Sequence, residues 1–431
     1  MIDIENYLNG FFKGTKDPSL DAMEYFMNEY NDFQKEMKFI HIAGTNGKGS
    51  CTEMINNILV CGGYKVGKFL SPHLVKYNER ISINGRNISD KEMSDLIEEL
   101  MPKIEKYNEK NSSKITLFEL ETTMALLYFY RNNVDFVVFE TGLGGLYDCT
   151  NIISNPLVSI ITSIGFDHIN ILGNTLKDIA YQKAGIIKEG SNTVIFESVD
   201  EVNNVFINKC NKKNNKLHIV TKEKIKNYRY DNDYQYFDYE ELKNIAINLK
   251  GIVQINNASI CIECIKILKS LGYKISEESL RKGVSTVIHR GRMEILSKNP
   301  LIIYDGAHNE PAIKNLQNTI NMYYNGIKRL YVISILKTKD YEKILKILFE
   351  DENATFLFTS GNNQERYVAK EELYNTAKKY KKDGQTVHMK ALEDAIEYIF
   401  SNKENTVNFA VGSFYVYGNV KDKIEKMINI K

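Results

Sequence analysis

The chain has 431 residues, 43% of them hydrophobic and 26% charged, with 56 Lys+Arg against 55 Asp+Glu and a formal net charge of +1. This is the composition of an ordinary globular protein with room for two or three domains, and its charge balance gives no reason to expect nucleic acid or an anionic membrane as the main partner. No apolar run approaches the ~20 residues of a membrane span, and residues 1–10, with Asp3 and Glu5, do not read as a secretory signal, so a cytoplasmic setting is expected.

Residues 38–43 (KFIHIA) read as a short buried strand, followed by the glycine-rich stretch Gly44-Thr45-Asn46-Gly47-Lys48-Gly49-Ser50. Met54, Ile55, Ile58 and Leu59 then repeat at helical spacing until Gly62 and Gly63 end the helix. Residues 66–70 are a second strand candidate, running into Ser71-Pro72-His73. Ser89 with Glu92 forms a capping box that opens a helix to about residue 108, and residues 117–130 make another. Residues 134–139 (VDFVVF) are nearly all apolar, as in a strand buried on both faces, and lead to Glu140 and GLGG. Residues 157–164 are similar and end before Asp167 and His168.

A helix is expected at 176–183 and a strand at 193–196. Residues 200–248, rich in Asn, Lys, Asp and Tyr, read as strands and loops. Residues 257–271 form a clear helix containing Cys261 and Cys264, the one CxxC among six cysteines, which read as structural thiols because no second pair or nearby histidine completes a zinc set. After a junction near 285–300, strands at 301–304, 329–334, 354–359 and 407–411 alternate with helices, implying a mostly parallel sheet. The expectation is two α/β domains, residues 1–294 and a smaller Rossmann-like domain at 295–431.

Strand, glycine loop and helix in register make Gly44–Ser50 the strongest chemical signal. Glycines let backbone N–H groups face an anion, the helix adds its positive end, Lys48 can reach outer phosphates, and the Ser50 hydroxyl can approach a nucleotide or its metal. The spacing departs from the general GxxxxGK[ST] loop, since two residues separate Gly44 from Gly47 and Gly49 follows Lys48. Glu140 ends a buried strand where ligands bind in open α/β sheets, so it is a candidate Mg²⁺ ligand or simply a solvated carboxylate. His168 is a candidate at the equivalent edge, although imidazole is not a typical Mg²⁺ ligand. Asp305 and His308, in DGAHN after the strand LIIY, are candidates for ribose or substrate contacts. Arg292 near the junction suits either a phosphate clamp or an ion pair.

Taken in order, HIAGTNGKGS, FLSPHL with NERI, FETGLGG with DCTN, ITSIGFDHINILGNTLKDIAYQKAGIIK, GIVQINNA, HRGRMEI, YDGAHN and AVGSFY resemble folylpolyglutamate synthases and dihydrofolate synthases of the Mur-ligase superfamily, over roughly residues 38–418. The resemblance implies an N-terminal P-loop ATPase domain and a C-terminal glutamate-ligase domain. It implies ATP-dependent joining of glutamate to a folate or dihydropteroate carboxylate through an acyl phosphate. Carried over residue by residue, Ser71, Glu140 and His168 would hold Mg²⁺. Lys48 and Ser50 would handle ATP phosphates. Lys183 would be the lysine found carbamylated in relatives, supporting a second metal. Asn257, Arg292 and Asp305 would contact the nucleotide, and His308 would line the catalytic cleft. A monomer is expected.

Leu146 stands where relatives usually carry Arg, and Val253, the order Glu310-Pro311 and Thr338 are further departures. None touches the phosphate loop or the implied metal ligands, so they bear on the acceptor rather than on the ligase chemistry. The competing readings are a Mur-type ligase acting on a cell-wall nucleotide precursor and a noncatalytic nucleotide-binding relative. About 37 residues precede the first strand, too few for the separate UDP-binding domain of the former.

Overall fold

The strand expected at 38–43 is β1 (Phe39–Ala43) of a computed structural model that describes residues 3–12, 19–352, 354–361, 365–401 and 405–429. Its five residues are all buried, and they lie in the middle of an eight-stranded sheet. The other strands are β2 (Val66–Phe69), β3 (Ile81–Ile83), β4 (Arg86–Asn87), β5 (Phe136–Glu140), β6 (Pro156–Ile161), β7 (Asn192–Phe196) and β8 (Lys216–Val220). The order is β4-β3-β2-β5-β1-β6-β7-β8, parallel from β2 through β8, with β3 and β4 added antiparallel at one edge. β1 is therefore flanked by β5 and β6, and the chain leaves it toward β2 on one side and returns at β6 on the other. In open α/β sheets such a switch point opens a crevice at the carboxyl ends of the strands.

Helices cover this sheet for reasons visible in the sequence. Ser89 accepts from the Glu92 backbone at 3.2 Å while the Glu92 carboxylate accepts from the Ser89 backbone at 2.8 Å, and the helix Asp90–Lys110 follows. Thr116 and Glu119 make the same reciprocal cap for Leu117–Arg131. The helix Lys48–Cys61 begins directly from the glycine loop and buries Cys51, Met54, Ile55, Ile58 and Leu59. One core packs the helices Asp90–Lys110 and Leu117–Arg131 on the sheet through Phe69, Phe129 and Phe139. A second core joins Ala180, Ala184, Ile186 and Ile187 to Val202, Phe206 and Cys210 on the other side of β1.

Residues 200–248 correct the expectation of strands and loops. They begin with a helix, Asp200–Lys212, and then supply β8 and a three-stranded antiparallel sheet of β9 (Ile225–Tyr230), β10 (Gln235–Tyr239) and β11 (Leu242–Ile247). Only Val202, Phe206 and Cys210 of that helix are buried, a four-residue repeat diluted by Asn and Lys. The strand read at 157–164 also stops early, at Ile161, because Thr162 to Gly165 bend to brace the glycine loop. Cys261 and Cys264 are buried free thiols in the helix Ile252–Ser270, which starts five residues before the expected position.

The chain divides into two compact units, one of residues Met1–Asn248 with Gln254–Val287, the other of Leu249–Val253 with Ile288–Lys431. The second unit holds a six-stranded sheet of β12 (Glu294–Lys298), β13 (Leu301–Asp305), β14 (Lys328–Ile333), β15 (Ala354–Phe358), β16 (Thr386–Met389) and β17 (Thr406–Val411), in the order β12-β13-β17-β14-β15-β16. All neighbours are parallel except β12 and β13. β12 and β16 lie at the two sheet edges, and their polar, partly exposed sequences gave no strand signal. Tyr331, Phe356, Phe358 and Phe409 lie in the core of this unit, with Tyr331 stacked on Phe356 at 5.4 Å between ring centroids.

Candidate active site

Gly44 to Gly47 leave the end of β1 and turn into the helix Lys48–Cys61. The loop is braced from the segment after β6. Thr45 N donates to Ser163 O at 2.7 Å, Asn46 N to Ser163 Oγ at 3.1 Å, and Thr162 Oγ1 to Asn46 O at 2.7 Å. Thr45 Oγ1 both donates to Gly165 O and accepts from Gly165 N, each at 3.1 Å. Two glycines are sterically required here. A Cβ on Gly44 would lie 1.8 Å from Thr162 Oγ1, and one on Gly47, which has φ +91°, would lie 2.6 Å from Asn257 Oδ1. Asn257, implied only by resemblance, is therefore brought against the loop. Lys48 Nζ donates to Gly44 O at 2.9 Å, which arches its ammonium back over the loop, and Ser50 is buried in the first helical turn.

Register puts the other first-unit candidates at the same sheet edge. Ile42 of β1 pairs with Glu140, the last residue of β5, and Phe69 at the end of β2 pairs with Phe139. Ser71 thus follows the strand beside the one that delivers Glu140, whose side chain is buried. His168 lies seven residues beyond β6, at φ +49°, with its side chain 42% exposed and Nε2 3.8 Å from Asp167. Among the described residues no group of three or more His, Cys, Asp or Glu converges as a metal site.

Lys183 ends the helix Leu176–Lys183 and is buried. Burial, reinforced by the Lys48 charge, pushes its pKa down to about 7, while Asp167 and Asp148 oppose the shift. The GLGG loop packs directly on it. Leu146 N donates to Gln182 O at 2.8 Å, and a Cβ on Gly145 would lie 2.9 Å from the Gln182 and Lys183 carbonyls. Leu146, the departure from the usual Arg, lies against Gly185, where an added Cβ would come within 2.2 Å of the Leu146 Cα.

Sequence reasoning missed what anchors this loop. Asp148 Oδ2 accepts from Leu143 N at 2.7 Å, and Oδ1 accepts from Thr150 N at 3.0 Å and Thr150 Oγ1 at 2.5 Å. With its one proton so used, Thr150 must accept from His41 Nε2, 2.8 Å away on β1. Burial first, and the Lys188 charge second, push the His41 pKa down to about 3, so this ring is a neutral strut. DCTN is recognisable as a motif, but the partner of its Thr150, His41, lies on a strand over 100 residues earlier.

In the second unit Arg292, Asp305 and His308 come together. Arg292 Nη1 is 4.0 Å from Asp305 Oδ1, and Asp305 also accepts from Met293 N at 3.0 Å and Ala307 N at 2.9 Å. Burial raises the Asp305 pKa, with Arg292 opposing. His308 Nδ1 lies 2.7 Å from Gly306 O, a carbonyl that only accepts, so Nδ1 carries the proton. Phe414, unnoticed as a site residue within AVGSFY, is the common platform, with Arg292 4.6 Å above its ring and His308 5.7 Å away.

A parallel sheet with a phosphate-type loop at its switch point, followed by a second α/β unit, is the plan of a Mur ligase. Residues 42–265 match the Mur ligase middle domain, and residues 291–414 match the Mur ligase glutamate ligase domain. The dihydrofolate synthase/folylpolyglutamate synthase of Bacillus subtilis (strain 168) is 33% identical, over 98% of this chain and 99% of its own length. That of Escherichia coli (strain K12) is 30% identical, over 78% of this chain and 76% of its own. The structure of Mycobacterium tuberculosis folylpolyglutamate synthase complexed with ADP superimposes with a TM-score of 0.89 at 27% identity, covering 98% of this chain and 97% of that one. The Thermotoga maritima folylpolyglutamate synthase gives 0.84 at 30% identity, covering 99% and 96%. The chain belongs to the dihydrofolate synthase/folylpolyglutamate synthase family of Mur ligases.

Proposed function

We propose that the protein uses ATP to join L-glutamate to the carboxylate of a folate or of dihydropteroate, acting as a folylpolyglutamate synthase, a dihydrofolate synthase or both. The observation that carries the reading is the braced Gly44–Ser50 loop at the sheet switch point, with Lys48 in the first turn of its helix. A carboxylate does not react with an amine at neutral pH, so it must first be activated. The acceptor carboxylate attacks the γ-phosphorus of ATP, and ADP leaves, giving an acyl phosphate. The glutamate amine then attacks the acyl carbon, and collapse of the tetrahedral intermediate expels phosphate and forms the amide. Loop N–H groups and Lys48 hold the phosphates and balance the charge that gathers on the γ-phosphoryl oxygens. The attacking amine must be neutral. His308, protonated on Nδ1, has the tautomer whose Nε2 lone pair can accept that proton.

Mg²⁺ fits the oxygen donors of Glu140 and Ser71. Magnesium needs one or two carboxylates and keeps several waters, and a buried carboxylate at a strand end is better accommodated beside a cation. His168 is the weaker member of the set, being an exposed imidazole. Bound there, Mg²⁺ would supply electrostatic stabilisation of the phosphate charge. Lys183 is buried with a pKa near 7, so at pH 7–8 it holds enough neutral amine to take up CO₂ as a carbamate, an anion able to support a second metal. Asn257, Arg292 and Asp305 are assigned to the nucleotide, and the acting species to a cytoplasmic monomer without nucleic-acid or membrane partners.

The test is a product assay by mass spectrometry, with ATP, Mg²⁺, glutamate and either dihydropteroate or a reduced monoglutamyl folate. A glutamate adduct on one or both acceptors is expected, and Lys48→Ala is expected to slow its formation by about 10²-fold or more. No adduct on either acceptor, from protein that still binds ATP, would overturn the reading.

A further inference from the structure

The segment after β2 is organised by two carboxylates. Glu79 accepts from successive backbone N–H groups of its own loop, Leu74 at 2.8 Å, Val75 at 3.2 Å and Lys76 at 3.1 Å. Glu121, on the helix Leu117–Arg131, accepts from Arg80 Nη1 at 2.7 Å, and the side chains of this pair are 3% and 12% exposed. Leu70 N donates to Arg80 O at 3.0 Å, which returns Arg80 to the end of β2. The same guanidinium donates from Nε to His73 Nδ1 at 2.9 Å, and the His73 ring lies 4.3 Å from that of Tyr77.

Glu79 already ties down the loop, and Glu121 already balances the Arg80 charge. The bond to His73 serves neither purpose, but it has a chemical consequence. A guanidinium N–H only donates, so Nδ1 accepts and the ring proton sits on Nε2. The series runs inward to outward, from an enclosed carboxylate through a guanidinium to a half-buried imidazole. That is how a donor is held in one tautomer and one orientation by residues behind it.

The set stands at the sheet edge that carries the phosphate loop. Phe118, one turn before Glu121, has its ring 5.7 Å from that of Phe69 at the end of β2. It also fills the space beside Gly142, where a Cβ would lie 2.6 Å from the Phe118 ring. The phosphate loop is bonded to residues 162–165 on its β6 side, which leaves the β5 and β2 side for an acceptor approaching the γ-phosphoryl group.

We propose that His73 binds an anionic oxygen of the acceptor's reacting carboxylate through Nε2–H, and that Arg80, held by Glu121, is the positioning residue that fixes its tautomer and orientation. The inference rests on the ligase reading and adds to it a contact that selects the acceptor. A neutral donor suits this task, because the carboxylate must itself attack phosphorus and a cation would hold its electrons back.

Two substitutions separate this role from bracing of the loop. Asn places Oδ1 where His has Nδ1, so it keeps the acceptor for Arg80 and loses the distal donor. Gln places its amide donor where His has Nε2 and loses the acceptor for Arg80. Initial rates of adduct formation are measured by mass spectrometry at saturating ATP, Mg²⁺ and glutamate, over a range of the acceptor that the wild type uses. His73→Asn is expected to lower kcat/KM for the acceptor by about tenfold or more, and His73→Gln to lower it by at least about threefold less, with the KM for glutamate within about twofold of wild type in both. Arg80→Lys is expected to lower the same ratio in the wild type and to change it by less than about twofold in His73→Asn, as required of a residue that acts through His73. A greater loss in His73→Gln than in His73→Asn marks a loop brace and overturns the proposal. Equal losses in the two variants, or none in His73→Asn, overturn it as well. Should Arg80→Lys fail to fold, the two His73 variants decide alone. A wild type that forms no adduct defeats the ligase reading, whereas a ligating wild type with any of those results defeats this inference only.

Discussion

Gly47 and Lys183 are the residues where backbone and burial set the chemistry most directly. Gly47 sits at φ +91° with Asn257 Oδ1 where a Cβ would go, so Gly47→Ala meets both a strained conformation and a clash. Strain of about 1–3 kcal/mol predicts a weakening of ATP binding of about tenfold or more, read by calorimetric titration, with unchanged far-UV circular dichroism. Lys183 predicts a pH dependence. Its folded pKa of about 7 lies below the 10.5 of an unperturbed lysine, so between those values the unfolded state holds more protons. The penalty of burying this lysine is therefore full below pH 7 and relieved as pH rises toward 10.5. Urea midpoints of the wild type should rise across that window relative to Lys183→Met, and parallel curves would refute the assignment. The value of glycines at 44, 47 and 145 is readable as a loop signal. Which neighbour enforces each is not, because Thr162, Asn257 and Gln182 come from distant positions.

Elements with self-contained signals are the ones the sequence predicts well. The Ser89–Glu92 box begins the helix Asp90–Lys110 as its spacing requires, since both of its hydrogen bonds lie within four residues. Ser89→Ala should lower stability by about 1 kcal/mol in urea unfolding, without affecting activity. Buried parallel strands such as β5 announce themselves by unbroken apolar runs. The helix Asp200–Lys212 did not, because a single buried stripe of Val202, Phe206 and Cys210 is all that its packing needs. β12 and β16 were hidden for the corresponding reason, since an edge strand has one neighbour to satisfy and carries little apolar demand.

For the whole molecule, the order of the chemistry constrains its use of ATP. The phosphoryl acceptor is the organic carboxylate, so ADP and amide should appear in equal amounts, and ADP release should fall to a small fraction of that rate when the acceptor is omitted. A coupled assay for ADP tests this, and equal rates with and without acceptor would contradict an acyl-phosphate route. The sequence by itself determined the two α/β units, the phosphate loop and the resemblance to a ligase family, because periodicity and loop motifs are local properties of the chain. The tertiary structure alone decided that the strand ends of β1, β2 and β5 share one edge, that Asn257 closes on Gly47, and that His41 and Thr150 hold Asp148 near Lys183. It also decided that residues 188–191 are hydrogen-bonded to the segment that ends the helix Asp200–Lys212. Strand order, burial and the charges they bring together arise from contacts between segments far apart in the chain, and no local pattern encodes those.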